Sequence, residues 1–189
     1  MVQVDSLVLG ADTFRLLNPS LFAIFHDSGY MTWHLHLNIS QTDTKNYVHN
    51  INWEFLLPEN EFSPTFLSDR TLTQEEESDE IENHLLFINR DFRWLKSVAF
   101  KFGKWDTAEQ SIEMLAEGIV KEDTDNGNPA LPFKCRALLK FDSIKLYRTS
   151  EPETQTFLKK YYPHIADKFS VEYKPMSEDL LLAKMKFNF

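Results

Sequence analysis

Apolar and polar residues alternate in two runs across 30–57, which predicts two strands joined by a polar loop. Met31, Trp33, Leu35, Leu37 and Ile39 share one face of the first strand, and Tyr30, Thr32, His34, His36 and Asn38 share the other. After the Thr-, Asp- and Asn-rich stretch 40–46, the second run sets Tyr47, Ile51, Trp53, Phe55 and Leu57 against Asn50, Asn52 and Glu54. An antiparallel hairpin closing here brings His36 near Asn50 and His34 near Asn52. Glu54 then lies diagonal to His34, roughly 7–8 Å away at the backbone. One face is core, and the other is a polar patch.

The same alternation predicts strands over 2–9, 21–26, 85–88, 92–102 and 133–141, with a short piece over 14–17 ended by the Asn18-Pro19-Ser20 breaker. Residues 111–120 are two-sided. Ile112, Leu115 and Ile119 suit a helix, while Gly118 and the Ile119-Val120 pair suit a strand, and the neighbouring strands favour the latter. The texture changes at Ser150, where Ser150-Glu151-Pro152-Glu153 forms a capping box opening a helix over 151–162 that Pro163 stops. Ser177 is placed to cap a last helix over 178–186, whose acids come first and lysines last, as the helix dipole favours. The pattern is that of a mainly β protein: an antiparallel, β-sandwich-like domain over 1–149 with a short helical C-terminal appendage over 150–189 packed on it as one folded unit.

Composition supports a folded core, since 42% of the 189 residues are hydrophobic and 16 Phe, 4 Trp and 6 Tyr supply large side chains to bury. Charge narrows the partners. The net charge is −9, and it is uneven: residues 1–133 hold 22 acids and 9 bases, whereas 134–189 hold 7 acids and 11 bases. Nucleic acid, whose phosphates call for clustered Lys and Arg, is therefore not an expected partner. Six acids fall within 74–82 without a base among them (Glu75, Glu76, Glu77, Asp79, Glu80 and Glu82). Such a run is either a solvated face or a surface for a basic partner. The start of the chain shows no basic segment followed by an apolar run, and no stretch nears the ~20 apolar residues that span a bilayer. A cytoplasmic protein without a membrane partner is expected.

Candidate chemistry is sparse. Cys135, the sole cysteine, shares an apolar face with Phe133 and Ala137 and is expected to be a buried, inert thiol. The glycines at 10, 29, 103, 118 and 127 form no phosphate-cradling loop, and no Gly-x-Ser-x-Gly elbow is present. The acidic loop 122–129 brings Gly127 one place too early for a calcium loop and puts Lys134 where the bidentate acid belongs. His34-Leu35-His36 is the sharpest feature, with two imidazoles on one strand face about 6.6 Å apart along the chain. A metal there needs further ligands, and Glu54, Asn52 or the pair His26-Asp27 are the nearby ones.

Two functional classes follow, and neither needs a cofactor of recognisable motif. The first is a non-catalytic, acidic protein-binding module, of inhibitor or immunity type, that neutralises a basic partner such as a toxin nuclease. Glu54, Glu75, Glu76, Glu77, Asp79, Glu80 and Glu82 are its candidate contacts. The second is a small-ligand site, sugar- or metal-dependent and hydrolase-like, on the face of His34, His36 and Glu54. An open edge strand also allows a homodimer.

Overall fold

The computed structural model describes residues 3–39, 48–56, 63–75, 84–88, 91–148, 150–163, 169–177 and 180–187, with the backbone alone for 48–56, 74–75, 84–88, 91–94 and 187. Its strands are β1 (Ser6–Leu9), β2 (Asp12–Phe25), β3 (Met31–Ile39), β4 (Val48–Leu56), β5 (Thr71–Glu75), β6 (His84–Ile88), β7 (Asp91–Asp106), β8 (Ser111–Val120), β9 (Leu131–Arg148), β10 (Phe169–Ser177) and β11 (Leu180–Phe187). One helix, α1 (Glu151–Tyr161), and a 3-10 turn over Pro64–Leu67 complete the described elements.

All eleven strands join one sheet, so the expected sandwich of two sheets gives way to a single sheet curled like a half-barrel. The order runs β1-β2-β3-β4-β6-β7-β8-β9-β11-β10, with β5 attached to β7. The pairings are antiparallel save one. β9 pairs with β8 and then β11 along one edge, and along the other with β1 and then, in parallel, with β2. The path of pairings thus returns on itself through β9.

The alternation read from the sequence supplies the interior. Trp33, Leu35 and Leu37 of β3, Phe14 and Leu21 of β2 and Phe133 of β9 are all fully or almost fully buried. Cys135 is buried beside Phe133 as expected, and burial pushes its thiol far above the ordinary range. Residues 111–120 form a strand, because Ile112, Met114, Ala116 and Val120 point inward with a period of two. Gly118 takes the place between Ala116 and Val120 in that row. A Cβ there would fall on the Ser97 carbonyl oxygen and 2.7 Å from the Phe133 ring, so the glycine is what lets β7 and β9 flank β8 closely.

Two expectations are corrected. Asn18-Pro19-Ser20 does not end a strand: β2 runs through it, with Asn18 at φ +49 and a register shift between Leu17 and Ser20. A bulge absorbs the proline, which cannot donate to a ladder. The second helix over 178–186 is also absent, and β10 and β11 form a hairpin there, with β11 seated on β9. Phe169, Val171 and Tyr173 alternate with Ser170, Glu172 and Lys174, a period of two that was present in the sequence. The free edge of β9 offers β11 a backbone ladder, which outweighs the dipole-friendly charge order.

The first helix forms as expected. Ser150 accepts a hydrogen bond from the Glu153 N–H at 3.4 Å, and the helix ends at Tyr161, with Tyr162 as its C-cap just before Pro163. Phe157 and Leu158 bury against the sheet, with the Phe157 ring 5.9 Å from Phe25 and the Arg148 guanidinium 4.2 Å above it. Tyr162 donates its hydroxyl to the Gly29 carbonyl oxygen, and Arg148 reaches Asp27 at 2.7 Å. The β2–β3 turn is therefore clamped to the helix. Gly29 sits at φ +89, and a Cβ there would come within 2.7 Å of the Tyr161 ring.

Gly118→Ala is expected to cost about 1–3 kcal/mol through overpacking between Ser97 and Phe133, read as a lower urea midpoint at an unchanged slope. Burial, and then the neighbouring Tyr161, push the Tyr162 phenol up to about 12 from its ordinary 10. A raised folded-state value favours the fold below the unfolded value, and that support disappears as pH rises from 10 toward 12. Tyr162→Phe should therefore flatten the stability-against-pH curve across that window and remove a phenol titrating near 12 from the ultraviolet absorbance profile.

Candidate functional site on the outer face of β3

β3 presents Thr32, His34, His36 and Asn38 on the face opposite Trp33 and Leu35, as its alternation requires. The register with β4 differs from the expected one by two residues. His34 lies directly opposite Glu54, His36 opposite Asn52 and Asn38 opposite Asn50. Glu54 is thus brought nearer to His34 along the backbone than the diagonal position predicted. The sequence between the two strands carries no signature that fixes a register.

This face is not an open polar patch. Thr32 is 4% exposed and His34 6%, while His36 is half-buried. The cause is Phe22, the β2 residue in register with His34, whose ring stacks on the imidazole at 4.9 Å with 5° between planes. His36 meets the same ring edge-on at 6.4 Å. Phe22 escaped the sequence reading because nothing local to it says that β2 runs beside β3. Its even-numbered placement between Leu21 and Ala23 was the available signal.

His26, at the end of β2, completes the arrangement. Its Nε2 lies 2.8 Å from Thr32 Oγ1, and Thr32 Oγ1 lies 2.9 Å from His34 Nε2. A hydroxyl donates one hydrogen and accepts others, so with both rings neutral one imidazole donates to Thr32 and the other accepts from it. His26 also stacks on Tyr30 at 4.3 Å. The chain of three side chains ties the turn 26–30 to β3.

On the far side of Phe22, cations gather. The Lys145 ammonium lies 3.6 Å from the centre of the Phe22 ring and 3.7 Å from Asp142, which Lys184 also approaches at 3.6 Å. Burial, partly offset by Asp142, lowers the Lys145 ammonium below its ordinary value. Asp142 thereby holds two lysines on the outer face of β9 and β11.

As chemistry, the face offers two imidazoles sharing one hydroxyl, a third imidazole beside them and a carboxylate residue opposite in register. Among the described residues no cluster of three or more His, Cys, Asp or Glu side chains has the arrangement of a metal site. The His36 Nε2 atom is buried and makes no hydrogen bond among the described residues. In the loop 122–129 one of three acids is engaged internally, the Asp123 carboxylate accepting from the Asn126 N–H and from the amides of Asn126 and Asn128. Of the candidate partner contacts, Glu54 lies within β4 and Glu75 ends β5, both as backbone. Glu76, Glu77, Asp79, Glu80 and Glu82 lie outside the described residues.

Elsewhere, a shallow depression of about 400 Å³ opens on the outer face of β7, β8 and β9 beside Leu115. Its rim charges are paired: Glu117 with Lys101 at 3.7 Å and Lys134 at 3.5 Å, and Glu113 with Arg136. Comparison of the chain with family models, with curated proteins and with solved structures finds no match. Among the described residues no helix is long and apolar enough to cross a membrane.

Elemental analysis of the untagged protein tests the histidine face directly. Less than stoichiometric metal is expected in the wild type, with the same content in folded His34→Ala/His36→Ala. A stoichiometric metal lost in the double variant would instead establish a metal centre.

Proposed function

We propose that the protein is a non-catalytic binding module that holds a basic protein partner through an acidic surface. Within that class it acts as an inhibitor or immunity-type protein, neutralising a basic partner such as a toxin nuclease in the cytoplasm. The observation that supports this reading is where the chain's own cations go. Among the described residues, Lys101, Lys134, Arg136, Lys145, Arg148 and Lys184 gather on four acids, Asp27, Glu113, Glu117 and Asp142. The whole chain holds 29 acids against 20 bases, a surplus of 9 negative charges. The surplus includes the run from Glu75 to Glu82, which begins where β5 ends. An unbalanced field of this kind accelerates encounter with a cation-rich surface and disfavours acidic competitors.

A second reading, a small-ligand or metal-dependent hydrolase-like site, draws on the placing of His34 opposite Glu54. The stacking of Phe22 on His34 and the sharing of Thr32 favour a packed, structural role for that imidazole.

Binding to a panel of purified basic nucleases is the test. The association rate with a true partner should fall about tenfold or more between roughly 0.05 M and 0.5 M salt. Neutralising Glu75, Glu76, Glu77, Glu80 and Glu82 to Gln and Asp79 to Asn should slow association by about the same factor at low salt. No binding across the panel, or binding indifferent to both salt and neutralisation, overturns the reading.

A further inference from the structure

β10 ends the strand order, and among the described residues it pairs only with β11, so its second backbone edge is open to another strand. That edge is polar and exposed, with Ser170, Glu172, Lys174, Pro175 and Met176 all at the surface. Six cations of the chain are taken up in ion pairs of its own, yet neither Glu172 nor Lys174 makes one among the described residues. They flank Tyr173, which is the midpoint of the nine-residue strand.

This placement makes the edge self-complementary. If a second copy of β10 lies antiparallel along the first in a register centred on Tyr173, residues 171–175 of the two copies pair ahead of the irregularity between Pro175 and Ser177. That same register sets Glu172 of each copy opposite Lys174 of the other, twice over. Shifting the centre by one residue keeps the sheet faces continuous but puts Glu172 against Glu172 or Lys174 against Lys174. Like charges directly opposite oppose pairing and unlike charges favour it, so the register centred on Tyr173 is the electrostatically selected one. Such a contact has the two-fold, same-patch character of an isologous interface.

Lysine and proline on an edge strand ordinarily guard it against indiscriminate pairing. Here they act as a filter on register. Lys174 rejects a cationic strand and accepts the acid that its own copy presents, and Pro175 removes at most one ladder donor per copy. We infer that β10 is the docking edge for a second copy of this chain, joining two curled sheets antiparallel across Tyr173 into one continuous sheet. The contact rests on one strand pair and two ion pairs per dimer, so the dimer is weak and salt-sensitive.

Sedimentation velocity over a concentration series tests this, with circular dichroism confirming that each variant is folded. The wild type is expected to shift from monomer to dimer as concentration rises toward about 1 mM. Glu172→Lys, and separately Lys174→Glu, should each weaken the dimer about tenfold by placing like charges opposite one another at both contacts. The double swap Glu172→Lys/Lys174→Glu should restore it to near the wild-type affinity, because it exchanges the signs and keeps the match. A wild type that stays monomeric to about 1 mM overturns the proposal. So does a dimer that neither single reversal weakens, or whose loss the double swap does not repair.

Discussion

The structure depends on backbone pairing along both edges of one strand. β9 spans Leu131–Arg148, and over that length four strands hydrogen-bond to it, β8 and β11 on one side and β1 and β2 on the other. A buried backbone group without a partner is costly, so a strand passing through the centre of a curled sheet must be matched on both sides. Its alternation changes phase in the middle. Phe133, Cys135, Ala137, Leu139 and Phe141 point inward, and beyond Asp142 and Ser143 the inward set becomes Ile144 and Leu146. The register with β2 slips at the same place, between Leu21 and Ala23. The first half of β9 thereby closes the curled sheet, and the second half carries α1 on one face and the Asp142 cluster on the other.

The histidine face follows from that closure. Because β2 lies between β3 and β9, Phe22 is held between His34 on one side and Lys145 on the other. An imidazole stacked on an aromatic ring and hydrogen-bonded to a threonine hydroxyl is well positioned, and the same contacts limit its access to solvent. His26 adds a tie from the β2–β3 turn, whose other end is held by Tyr162 and Arg148. The network therefore joins the turn, the helix and the outer face of the sheet. Through it His34 is buried against the Phe22 ring, which His36 meets edge-on.

Charge is organised on the same frame. The basic part of the chain, 134–189, supplies most of the cations that form ion pairs, and they draw in acids from β8 and from the β2–β3 turn. The pairing leaves the acidic part of the chain with its surplus. Surface pairs of this kind contribute little each to stability, about 0–1 kcal/mol.

Periodicity was legible without a structure wherever one face of a strand meets the core. The inward rows of β3 and β9, the burial of Cys135 and the capping of α1 by Ser150 are all read from residues within one element. The interior of a sheet demands a period of two, and a helix start demands its cap, whatever the element packs against. Beyond the antiparallel pairing of β3 with β4, what joins one element to another was not legible. The two-residue difference in the β3–β4 register, the run of β2 through Pro19, the strand character of 180–187 and the placing of Phe22 over His34 each depend on a distant partner. So does the union of all strands in one curled sheet. A strand's own residues dictate which side chains face inward, but which edge it joins is settled by the backbone groups left open elsewhere in the chain, and only the folded molecule brings those groups together.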